Sequence, residues 1–181
     1  ILSGATYARN ALWTDEVKLW EDVVKKSPLK VRPHSNLGHF YGMRGRFEEA
    51  IREYRIALSL DPYDFQVHNN LGVIYKAQGR IAEAEREYRT AVRLQPDDAM
   101  AYYNLGNIFR EQGKFEEAVQ QYQTAIRLSP EVAVLHNNLG LTYEGLGNTK
   151  GAEQEYRAAL HLEPDYETAR RNLEELLRGG G

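Results

Sequence analysis

Asparagine, histidine and clustered carboxylates are the residue types through which this chain could do chemistry, and each recurs at a fixed interval. Asn36, Asn70, Asn104, Asn138 and Asn172 stand 34 residues apart. Each falls inside a run with helical patterning, where asparagine is a mediocre choice because its side chain competes for backbone hydrogen bonds. Five repetitions of such a residue ask for a reason, and two remain open. The amides could tie one helical unit to the preceding one. Alternatively, a row of amides could hold an extended peptide, matching its donors and acceptors without reading its side chains.

His34, His68 and His136 share one position of the same period, held by Tyr102 in the remaining unit. A large ring at a helix contact accounts for this set better than metal ligation, because stacked neighbours stand too far apart to share an ion. His39 and His161 have no Cys, Asp or Glu partner at ligand spacing, and the chain has no cysteine at all. His-Glu-x-x-His, an EF-hand string, phosphate-binding glycine loops and a Gly-x-Ser-x-Gly elbow are all absent from the sequence. The carboxylates Glu48-Glu49, Glu83, Glu85 and Glu116-Glu117 gather where helices begin, which the helix dipole favours. Arg52, Arg55, Arg86 and Arg89 follow within one or two turns and can pair with them. No two acids stand apart as a catalytic pair. The expectation is a protein that is not an enzyme and takes no cofactor and no metal.

The elements that position these residues follow from the 34-residue period. Asn-Leu-Gly recurs from Asn36, Asn70, Asn104 and Asn138, and prolines recur at Pro62, Pro96, Pro130 and Pro164. Alanines keep step at Ala50, Ala84, Ala118 and Ala152, and again at Ala57, Ala91, Ala125 and Ala159. Within one unit, His68, Leu71, Gly72 and Tyr75 make one face of a first helix, and Ala84, Tyr88, Ala91 and Val92 one face of a second. Gly45, Gly79, Gly113 and Gly147 stand between the two, suited to a left-handed helix exit. The short gap makes an antiparallel pair, and proline ends the second helix. Asp64 and Asp98 are candidate N-caps. The mid-helix glycines Gly38, Gly72, Gly106 and Gly140 predict close backbone approach opposite the second-helix alanines, with Tyr54, Tyr88, Tyr122 and Tyr156 filling the wider part of each contact. No pair buries its apolar stripe alone, so stacking must complete the core.

The organisation expected is a degenerate hairpin over 1–30, four units over 31–64, 65–98, 99–132 and 133–166, a capping helix over 167–178 and a glycine tail over 179–181. Gly4, Tyr7, Trp20 and Pro28 keep the register in the first segment, Thr14 is a candidate cap, and Trp13 and Trp20 are expected against Leu37 and Tyr41. The chain has 181 residues, of which 42% are hydrophobic and 27% charged, a folded composition. Its 23 Lys and Arg against 26 Asp and Glu supply no basic surface for nucleic acid. No run is long and apolar enough for membrane insertion. A start at Ile1, without methionine or a signal peptide, suggests a piece excised from something longer.

The Leu-Gly pairs, the aromatics Tyr41, Tyr75, Phe109 and Tyr143, the second-helix alanines and tyrosines, and the terminal prolines together resemble the tetratricopeptide repeat family. The resemblance spans 31–166 and implies an all-α, right-handed superhelical solenoid of antiparallel helix pairs, with first helices lining a concave groove. It places Asn36, His39, Asn70, Val73, Tyr103, Asn104, Asn107, Asn138 and Asn172 along that groove as candidate peptide-binding residues. Sugar transferases that modify serine and threonine in the nucleus and cytoplasm carry a similar asparagine ladder for substrate polypeptides. Chaperone-binding members clamp a terminal carboxylate with cations that are missing here.

A second resemblance covers about 35 residues. Tyr7-Ala8-Arg9-Asn10, Trp13, Asp15-Glu16, Leu19-Trp20, Ser27-Pro28 and Arg32-Pro33-His34 look like the membrane-proximal start of tetratricopeptide regions in multi-spanning membrane proteins related to protein O-mannosyltransferases. It implies an extracytoplasmic tail whose catalytic part lies elsewhere. The readings that follow are a module binding an extended segment or helix of another protein, a substrate-presenting domain of a membrane glycosyltransferase-like protein, and a scaffold assembled from copies of itself.

Overall fold

The computed structural model describes residues 16–179. Ten α-helices and no strand occur among the described residues. The chain forms two compact units, divided between Leu94 and Gln95. The first contains α1 (Glu16–Lys26), α2 (Val31–Met43), α3 (Phe47–Leu60), α4 (Phe65–Ala77) and α5 (Ile81–Leu94). The second contains α6 (Ala99–Glu111), α7 (Phe115–Leu128), α8 (Ala133–Gly145), α9 (Thr149–Leu162) and α10 (Glu167–Gly179). Consecutive helices pair: α2 with α3, α4 with α5, α6 with α7, and α8 with α9. Within each unit the pairs stack, α3 against α4 in the first, α7 against α8 and α9 against α10 in the second. Gly4, Tyr7, Trp13 and the Thr14 cap lie outside the described residues, as do Gly180 and Gly181; Trp20 is half-buried.

Each hairpin turn is set by one glycine. Gly45, Gly79, Gly113 and Gly147 have φ of 71°, 72°, 72° and 70°, a region that costs other residues because of their Cβ. The left-handed step lets the next backbone N–H reach back: Arg46, Arg80, Lys114 and Asn148 donate to the carbonyls of Tyr41, Tyr75, Phe109 and Tyr143 at 2.8–2.9 Å. They are among the last carbonyls of each first helix, which have no full set of partners within the helix. The Arg46 and Arg80 guanidiniums then lie 4.2 and 4.4 Å from the ring centres of Tyr41 and Tyr75, closing the same turns. At the far ends, Asp64 accepts from the Val67 N–H and Asp98 from the Met100 N–H, each at 3.1 Å, as N-caps. α2 and α8 begin at Lys30 and Val132 without a side-chain cap.

The close approach at the mid-helix glycines has a different partner from the one expected. A Cβ built on Gly38, Gly72, Gly106 or Gly140 would come within 2.6–3.0 Å of the ring of Tyr54, Tyr88, Tyr122 or Tyr156. The tyrosine, and not the second-helix alanine, lies across the glycine. Helices cross so that the ring projects over the neighbouring backbone. The alanines, all fully buried, instead keep the second helix close to what packs behind it. At the end of the second unit Ala133, Ala159 and Ala169 form a small core with Leu160 and Tyr166, which seats α10.

Candidate functional site

First helices in each unit lie side by side, α2 with α4 in one and α6, α8 and α10 in the other. In the first unit Asn36 and Asn70 are half-buried, while His39 is exposed with its ring edge-on to Phe40 at 5.5 Å. Val73 is 45% exposed, one turn beyond Asn70. An exposed valine at a helix surface is an apolar contact without an internal partner.

The second unit holds the more constructed site. The Asn138 amide donates to the Tyr103 hydroxyl at 3.2 Å, and the Asn172 amide donates to the Asn137 side-chain oxygen at 3.0 Å. Both bonds reach 35 residues back, so each joins one first helix to the first helix of the preceding pair. Asn138 is 9% exposed and Asn137 2%. At these two places the amide secures neighbouring helices. Asn104 is half-buried on α6. Asn107 sits away from the open face: it is 8% exposed, and its side-chain oxygen accepts from the Tyr122 hydroxyl at 2.6 Å. The cause is the ring over Gly106, whose hydroxyl needs a buried acceptor and finds it one residue along α6.

Tyr103 is the residue around which a surface is left open. A cleft of about 330 Å³, within the size range of small-ligand sites, lies between the starts of α6 and α8 and is lined by Met100, Tyr103, Val132, Val134 and Leu135 with Asp97 and Asp98 at one edge. Met100 is 54% exposed. Burial of the Tyr122 phenol, whose ring centre is 6.2 Å from that of Tyr103, pushes its pKa up to about 12, so it stays a neutral donor to Asn107. The cleft thus has a mostly apolar lining with one aromatic ring, and the hydroxyl of that ring is already bonded by Asn138.

The sequence marks His34, His68 and His136 as rings at a helix contact but does not reveal their polar partners. His34 Nδ1 is 2.6 Å from a Glu53 carboxylate oxygen and its Nε2 is 2.9 Å from the Pro28 carbonyl. His68 repeats this with Glu87 at 2.7 Å and the Pro62 carbonyl at 3.0 Å. His136 does so with Glu155 at 2.7 Å and the Pro130 carbonyl at 3.3 Å. They are bridges as well as rings at a helix contact. A signal existed: a glutamate follows each of these histidines by 19 residues, and Gln121 stands in that place after Tyr102. Among the described residues no group of three His, Asp or Glu could hold a metal ion. None of the described helices is long and apolar enough to cross a membrane.

Surface ion pairs take a partly different form from the expected one. Arg89 pairs with Glu85 at 2.8 Å along α5, but Glu49 and Glu83 are met by Arg46 and Arg80, which precede their helices.

The comparisons agree with this architecture. The family model described as "TPR repeat" matches residues 38–79, 74–109 and 106–147, and that described as "Tetratricopeptide repeat" matches 133–166. No curated protein matches the chain. Two solved structures of MamA are similar in fold, each 24% identical. One has a TM-score of 0.77 and covers 91% of this chain and 96% of that one; the other has 0.74, with 89% and 88%. A structure from a study of PilF of Pseudomonas aeruginosa has a TM-score of 0.77 and 28% identity over 83% of this chain and 68% of that one.

Proposed function

The chain belongs to the tetratricopeptide repeat family, and on that premise we propose that it holds a segment of another protein along its first helices, with no bond made or broken. Repeat proteins of this kind generally serve as protein-interaction modules. The observation that carries the finer reading is the cleft between α6 and α8. Met100 and Val132 are exposed and Val134 half-buried, and they present apolar surface beside a half-buried tyrosine. An aliphatic or aromatic side chain of a bound segment would occupy it, and aromatic walls of this sort often dominate interface energy. Asn104, on α6 beside the cleft, is a polar contact for the segment's backbone, as Asn36 and Asn70 are on the first helices of the other unit; Asn138 and Asn172 contribute by holding the helices in place.

Selection of linear peptides from a random library on the intact chain tests this. The expected result is a set of peptides sharing an apolar anchor, whose affinity falls at least about tenfold, a 1.4 kcal/mol loss, in Met100→Asp or Val134→Asp with circular dichroism unchanged. Peptides that bind both variants as tightly as the parent chain would remove the cleft from the site.

The wording of residues 7–38 supports a second reading, in which the same groove presents a polypeptide to a catalytic region of a larger membrane protein. The coding sequence upstream of Ile1 decides it: a run of apolar helices is expected, and a soluble start would sink it.

A further inference from the structure

We propose that the histidine–glutamate–proline bridges are proton-operated latches that fasten each connecting segment to the hairpin that follows it. The chemistry of the acceptors leads there. A carbonyl oxygen only accepts hydrogen bonds, and so does an ionised carboxylate. A ring that satisfies one of each, through both nitrogens, carries a proton on both and is an imidazolium. The geometry occurs three times: His34 between Glu53 and the Pro28 carbonyl, His68 between Glu87 and the Pro62 carbonyl, and His136 between Glu155 and the Pro130 carbonyl. In each the proline belongs to the segment entering the hairpin, the histidine to its first helix and the glutamate to its second. One ring therefore joins three consecutive pieces of chain.

Two exceptions support the assignment. Where Tyr102 replaces the histidine, Gln121 replaces the glutamate, so the negative charge is present only where there is a titratable cation to meet it. In α10 the position is Arg170, a permanent cation, and its guanidinium donates to the Pro164 carbonyl at 2.6 Å. There is no following helix among the described residues to supply a glutamate, and the donor to the proline carbonyl is kept all the same.

The surroundings of His68 and His136 favour the same state. His68 faces Glu87 of α5 and Asp64 at the start of α4, with Arg86 3.5 Å from the other Glu87 oxygen; the connection from α3 supplies the Pro62 carbonyl. Burial opposes its charge, but the bonds to Glu87 and Pro62 outweigh burial and raise its pKa above the ordinary histidine value. His136 faces Glu155 of α9, the Pro130 carbonyl, and Gln123 and Arg127 of α7 across a shared cleft. The Glu155 bond, working against burial, raises its pKa too. His34 meets Glu53 of α3 and, from the α1 side, the Pro28 carbonyl.

A raised folded-state pKa stabilises fully below the unfolded value of about 6.5 and is lost as pH climbs through the folded value. Above that, one nitrogen presents a lone pair to an acceptor, and the ring must release either the glutamate or the proline carbonyl. The junctions are fastened in mildly acidic conditions and loosened in mildly alkaline ones. This holds whether or not the groove takes a peptide.

The test uses the full chain. Nitrogen-15 NMR of the rings should find His68 and His136 doubly protonated at pH 6.5 and titrating above the free-histidine value. The urea midpoint followed by circular dichroism should fall between pH 6 and pH 8.5, and Glu87→Gln with Glu155→Gln should remove at least about half of that fall. Should the double variant not fold, Glu87→Gln alone must return the His68 titration to the ordinary range. Conversely, Tyr102→His with Gln121→Glu should install a further latch and steepen the dependence. Rings that titrate at or below the ordinary value, or a midpoint whose pH dependence is the same in the glutamine variants, would overturn the proposal.

Discussion

Gly72 shows how much one missing methyl group decides. Its neighbour across the helix crossing is the Tyr88 ring, and a Cβ there would stand 2.6 Å from a ring carbon. The ring is fully buried, so it must shift within packed surroundings to make room. Gly72→Ala gains about 1 kcal/mol of helix propensity but forces overpacking worth about 1–3 kcal/mol. A lower urea midpoint is expected; an unchanged or raised one would mean that the ring can shift. That glycine and tyrosine are both special was legible in the sequence, since each recurs in every unit. Which small residue receives which ring was not, because a helical stripe records a face and not the crossing of two faces. The same limit explains Asn107: its spacing matches exposed His39 and Val73, yet the Tyr122 hydroxyl draws it inward.

At the scale of the helix, start and stop signals differ in how much each contributes. The turn glycines adopt a conformation that other residues resist, and their positions could be read directly. N-caps are uneven: Asp64 and Asp98 bond the first turns of α4 and α6, and Asn148 accepts from the Gly151 N–H at 3.0 Å, while α2 and α8 manage without one. Tertiary burial therefore carries the uncapped helices. Asp64→Ala should cost about 1 kcal/mol, measured as a drop in unfolding free energy with faster amide exchange at Val67. A neutral outcome would show that the His68 bridge, only four residues on, already secures that helix start. The histidine bridges were half visible: their positions are periodic, but the tie to a proline carbonyl involves a backbone atom, which composition and spacing never display. The asparagine positions were equally clear, but that Asn138 and Asn172 tie neighbouring helices is visible only in their distances.

Across the whole molecule, the fold class was the most legible feature, because a 34-residue period repeats one local solution and leaves little to long-range accident. The site was less so, since a groove is defined by what the repeats do not share. Met100 and Val134 depart from the polar residues at the same register positions, Arg32 and Gln66, and an apolar cleft opens beside them. The tyrosines that cover the glycines have one further outcome. Burial pushes the Tyr122 phenol up to about 12, and Tyr54 and Tyr156 higher still. Ionisation of these phenols is favoured only once the chain opens, so stability is lost above the ordinary phenol value of about 10. The 12 tyrosines then act as a built-in optical gauge. Absorbance at the tyrosinate band should rise in two stages with alkali: the exposed phenols first and reversibly, the enclosed ones together with collapse of the far-ultraviolet helix signal. A single smooth rise completed while that signal is intact would mean that hydroxide reaches the rings in the native protein.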